Sequence, residues 1–142
     1  MAAPKVYLIW YGNWNQNNGS DTPDGQRIVT DFLFGLSASP YYLTNQSYPG
    51  VSGAFSIGSA YTDSYSQGSN LSDRKVAAVV SNAINSGKLP KDNNGIYFVL
   101  TSSDVAETSG FRSRYCGWHT YGTLSGTNIK YSFVLWGMRT AA

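Results

Sequence analysis

The sequence predicts an α/β (α+β) domain built on a mixed sheet of about five strands with two main helices. Three observations carry this. Lys5–Trp10 and Ile96–Thr101 are short apolar runs rich in β-branched and aromatic residues, bounded by turn residues. Two longer segments, one after Asp24 and one after Ser72, repeat apolar residues at helical spacing. Finally, the segment from residue 51 through the Ser72 helix to Ile96–Thr101 reads strand, helix, strand, an order that favours parallel pairing through a right-handed crossover.

Taken in order, Lys5–Trp10 is the first strand, closed by Gly12, and residues 13–25 form an Asn-rich polar loop. Asp24 is read as the cap of a helix in which Ile28, Phe32 and Leu36, with Val29 and Leu33 beside them, make one wide apolar stripe. Ser37-Ala38-Ser39-Pro40 stops it and caps a second, short helix, since Ser then Pro suits the Ncap and N1 positions. Residues 51–61 alternate small and apolar side chains and read as a strand weakened by glycine. Asp63–Asn70 is a loop. Ser72 caps the best helix, with Val76, Val79, Val80, Ala83 and Ile84 on its buried side and Gly87 past its end. After the central strand at Ile96–Thr101, residues 118–124 and 129–136 form an antiparallel hairpin turning through Ser125–Asn128.

Composition limits the function classes. Charged residues make up 13% of the 142 residues, well below the usual value of about 25%, and hydroxyls, amides and tyrosines take their place. Such a surface points towards an extracytoplasmic setting. The net charge is +2 and no basic cluster exceeds Arg74-Lys75, so the positive stripe that phosphate backbones require is missing and nucleic acid is not an expected partner. The opening residues lack the apolar core of an export signal, and no apolar run approaches the ~18 residues of a membrane span. The single cysteine, Cys116, reads as a small buried apolar residue.

Chemistry is sparse. Cys116 and His119 have a two-ligand spacing, but no second cluster completes a zinc site. As a nucleophilic pair they fail, because residues three apart on an extended segment point in opposite directions. Asp104 and Glu107 follow the central strand, where α/β sheets place function, yet loop carboxylates without a base or metal are usually turn acceptors. No cofactor, catalytic or metal-ligating set is expected. Trp10, Trp14, Trp118 and His119 remain as binding candidates, through ring stacking on sugars or on a partner protein. Asn18, Asn45 and Asn70 open Asn-X-Ser sequons and are glycosylation candidates.

Several stretches carry a family resemblance: Ile9-Trp10-Tyr11-Gly12-Asn13-Trp14, Gln26–Leu33, Tyr65-Ser66-Gln67-Gly68 with Leu71-Ser72-Asp73, Tyr97–Val105, Ser109-Gly110-Phe111, and Tyr115–Thr120. Over residues 5–134 the chain resembles the exordium-like, or phosphate-induced protein 1, family. The resemblance implies a secreted, cell-wall or apoplastic plant-type protein linked to growth, with no firmly attached reaction. A cell-wall polysaccharide or another protein would be its partner. Family members continue into a helix with a His-Glu-x-x-Glu type motif, so the chain is expected to match the N-terminal part of a zincin-like domain. The alternatives to a non-catalytic wall protein are the front of a zinc-peptidase-like enzyme and a carbohydrate-binding module.

Two departures stand out. The family has a second cysteine where this chain has Arg112, so the disulfide partner implied for Cys116 is missing. Beyond Val134, residues 135–142 leave the family pattern; shifted by two bases, codons for Leu-Trp-Gly-Met-Arg can spell Val-Gly-Asn-Ala, which suggests a frameshifted tail on an originally longer protein. If a covering helix is missing, strands 5–10, 96–101 and 129–136 are expected to leave apolar area exposed and the fragment to be marginally stable.

Overall fold

The computed structural model describes residues 3–109 and 116–135. The Arg112 position and the tail from Trp136 onward lie outside the described residues. Around strand β1 (Lys5–Tyr11), a five-stranded sheet forms in the order β2-β1-β4-β7-β6, with β2 at Ser56–Asp63, β4 at Gly95–Thr101, β6 at Gly117–Leu124 and β7 at Thr127–Leu135. β1, β2, β4 and β7 run parallel, and β6 pairs antiparallel with β7. Two-residue strands β3 (Asn70–Leu71) and β5 (Ala106–Glu107) pair with each other beside this sheet. The mixed sheet with two main helices is the architecture that the sequence predicts.

Local chemistry explains the helices. Helix α1 spans Pro23–Leu36, and its cap is Thr22, whose side chain accepts from the Gly25 N–H. Asp24, expected as the cap, sits instead in the first turn, where its charge meets the positive end of the helix dipole. Helix α2 is a single turn, Pro40–Leu43, capped by Ser39 with Pro at the start, and a 3-10 turn at Thr44–Ser47 follows it. Helix α3 spans Asp73–Asn85, capped by Ser72, and Gly87 follows it at φ 72°. The hairpin turn is tighter than its sequence suggests: Ser125 and Gly126 both take positive φ, 52° and 76°, and Thr127 and Asn128 already belong to β7. Two positive φ values match the twist of the strands they join. Strand β2 begins at Ser56 rather than Val51, because Ser37 at the end of α1 holds Phe55 through both its N–H (2.9 Å) and its carbonyl (2.6 Å).

Alternation along the strands separates two faces. Tyr7, Ile9 and Tyr11 of β1 join Tyr97, Val99, Ile129 and Phe133 under the apolar side of α3, and this is the main core. Val6, Leu8, Trp10 and Leu100 face the other way, with Val29 and Leu33 of α1 packed on them. That second layer is thin. Among the described residues it gathers five buried apolar side chains against sixteen on the α3 side, so the two faces contribute very unequally to stability.

Candidate functional site

The order of the strands makes β1 and β4 neighbours whose outgoing connections leave to opposite sides, β1 towards β2 and β4 towards β7. In open α/β sheets the crevice at the carboxyl ends of such a pair is where ligands bind. Here the crevice is filled by the chain's own polar groups. Gly12 leaves β1 at φ +103°, and a Cβ there would lie 2.0 Å from Ser102 Oγ. That closeness lets the Asn13 N–H donate to Ser102 Oγ at 3.0 Å, while the Ser102 N–H donates to the Tyr11 carbonyl at 3.0 Å.

Two carboxylates extend the latch. Ser102 Oγ donates to Asp104 Oδ1 at 2.5 Å, and Tyr65, itself at φ 57°, donates its hydroxyl to Asp104 Oδ2 at 2.5 Å. Gln16 Nε2 bridges Asp104 (3.0 Å) and Asp21 (3.3 Å). Asp21 is fully buried and accepts from the Ser103 N–H (2.8 Å), Ser103 Oγ (2.5 Å) and Asn18 Nδ2 (2.8 Å). Several donors surround it, as a buried carboxyl requires. Asp63, at the end of β2, accepts from the N–H and Oγ of Ser66, and its carbonyl receives the Gly12 N–H.

The electrostatics follow the hydrogen bonds. Burial pushes the Asp104 carboxyl up, but donation from Ser102, Tyr65 and Gln16 outweighs it and holds the group below its ordinary value of 3.8. The Tyr65 phenol moves the other way, raised by burial and by its bond to Asp104. Tyr11 is raised by burial, and its hydroxyl ties residues 67 and 68 to the sheet. Chemically, this arrangement locks loops together: each carboxylate is an acceptor for neutral donors of the same chain.

The residues singled out from the sequence fall in different places. Trp10 and Trp14 are buried, 6% and 5% exposed, and pack edge to face at 4.8 Å. Neither offers a ring to solvent. Trp118 is half-buried against Tyr131 and Phe133. His119 is exposed on the opposite face of β6, in register with Ser132. Glu107 is buried and accepts from the Ser109 N–H. Cys116, expected to be buried, is exposed at the start of β6. Of the sequon asparagines, Asn18 is spent on Asp21 and Asn45 on the Tyr42 carbonyl, while Asn70 is exposed on β3. Among the described residues, no three His, Cys, Asp or Glu side chains gather as a metal site would need, and no helix is long and apolar enough to cross a membrane.

Asp21, Ser102, Ser103 and Tyr65 carry the latch, and sequence reasoning did not single them out for it. The Asp21–Ser103 bond joins residues 82 apart, a relation that no local pattern encodes.

The comparisons with known proteins agree with one another. The profile of the phosphate-induced protein 1 conserved region matches residues 2–140. Protein EXORDIUM-like 5 of Arabidopsis thaliana is 32% identical over 148 aligned positions, which take in 91% of this chain and 38% of the relative. The chain thus spans well under half the length of that relative. No solved structure matches.

Proposed function

The chain belongs to the phosphate-induced protein 1, or exordium-like, family, and from that premise we propose that it is a secreted, wall-associated growth protein that works by binding rather than by catalysis. The observation that carries the non-catalytic part is the filled switch-point crevice. Asp21 is buried among donors from Ser103, Asn18 and Gln16, and Asp104, exposed at the rim of the crevice, accepts from Ser102, Tyr65 and Gln16. A general acid or base needs a free lone pair or proton facing a substrate, and most lone pairs of these two carboxyls are directed at the chain's own donors. The low charge content and hydroxyl-rich surface support the extracellular part. The expected partners are a wall polysaccharide or another wall protein.

The test is localisation joined to turnover. The protein, expressed behind a secretory signal peptide with a fluorescent tag in plant cells, is expected to stay with the wall after plasmolysis. Purified protein is expected to release no product from wall glycans or peptides, and Asp104→Asn to change neither result. Loss from the wall on plasmolysis, or turnover abolished by Asp104→Asn, would overturn the reading.

A further inference from the structure

Among the described residues, the α1 side of the sheet is incompletely covered. β4 and β7 are parallel interior strands, and such strands are normally covered on both faces. The α3 side obeys this, with Tyr97, Val99, Ile129 and Phe133 all fully buried. Across the sheet, Ile96, Phe98 and Val134 are only half-buried. Helix α1 adds to the open surface. Only Val29 and Leu33 of its stripe reach the sheet, while Ile28 and Phe32 stand 57% and 63% exposed. Between them lies a groove of about 410 Å3, floored by Leu8, Phe98, Leu100 and Val134 and walled by Ile28 and Phe32. Further across, over β7 and β6, the face turns polar at His119, Tyr121, Lys130 and Ser132.

We infer that this face seats one amphipathic α-helix, lying beside α1 over β4 and β7, drawn from the part of exordium-like proteins outside the matched region. Most of EXORDIUM-like 5 lies in that part. The dimensions agree: a strand as long as β4 covers about 23 Å, which a helix of about 15 residues spans. The chemistry of the seat dictates that of the helix. Its inner face is apolar, against Phe98, Val134 and Phe32. Its β6-side flank carries a carboxylate, because Lys130, whose ammonium has three donors, gives one to the Asn93 carbonyl and, among the described residues, no other side chain or carbonyl takes the rest. The inference rests on the family assignment but not on secretion, so localisation results leave it untouched.

The probe is the portion of EXORDIUM-like 5 outside the match, expressed separately and titrated into the 142-residue chain. Saturable one-to-one binding is expected, with loss of the chain's binding of an apolar dye. The double variant Ile28→Glu/Phe32→Glu, changed only at exposed positions, should weaken binding at least tenfold, and Lys130→Glu by less. To guard against a probe that does not fold alone, the same portion is also joined to the chain's C-terminus. Oxidative labelling of Phe32 and Phe98 should then fall several-fold relative to the isolated chain. Unchanged labelling in the fusion, or binding indifferent to the double variant, overturns the inference. So does occupation of the same face by a second copy or by a wall polysaccharide in the presence of the probe.

Discussion

Gly12 and Ser102 fit together only because Gly12 has no side chain: a Cβ there would lie 2.0 Å from Ser102 Oγ and 3.2 Å from a Val105 methyl. Gly12 also holds φ +103°, where other residues are strained. Gly12→Ala should therefore cost about 2–4 kcal/mol, from strain plus overpacking. Gly19 provides the control, since it has φ +79° but open space around it, and Gly19→Ala should cost only about 1 kcal/mol. Urea midpoints for the two variants check the difference.

The latch should also be visible in acid. The folded-state pKa of Asp104 lies below its ordinary value of 3.8, so its contribution to stability is fully present above that value. It is lost as the pH falls through the folded pKa, when the native state must take up the proton. Asp104→Asn should lower the urea midpoint at pH 7 and flatten its further decline below pH 3.8 relative to wild type. Parallel acid limbs in the two proteins would remove Asp104 from the account.

The two faces of the sheet should respond differently to truncation. Phe133 is fully buried in the α3-side core, whereas Phe32 is 63% exposed on α1. Phe133→Ala should cost about 3–5 kcal/mol. Phe32→Ala should stay within about 0.5 kcal/mol, as surface changes do. Equal losses would mean that α1 is buried in solution.

Passage through a secretory pathway should mark Asn70. Asn70 is exposed on β3; Asn18 is exposed too, but its amide and that of Asn45 are held by Asp21 and by the Tyr42 carbonyl. Mass spectrometry of secreted protein should find one glycan, absent from Asn70→Gln and retained in Asn45→Gln.

What the sequence made legible was local. Ser39-Pro40 and Ser72 announce their helices because a cap and its acceptor lie within one turn. β4 is legible because a run such as Ile96–Thr101 suits little except a buried strand. Trp10 and Trp14 turn inward because residue type reports capacity to stack, not orientation; Trp10 shares the face of Val6 and Leu8, an alternation that places it inside. The stripe on α1 likewise tells what the helix can bury, not what is there to cover it. The latch was illegible for a different reason: Ser102–Asn13 and Ser103–Asp21 join residues 89 and 82 apart, through side chains common in any loop.

Hydroxyl-radical footprinting of the isolated chain tests the central claim, a sheet with one finished face and one open face. The account predicts rapid oxidation of Ile28, Phe32 and Tyr121 and strong protection of Leu71, Val79 and Tyr97. Comparable protection of both sets would contradict it.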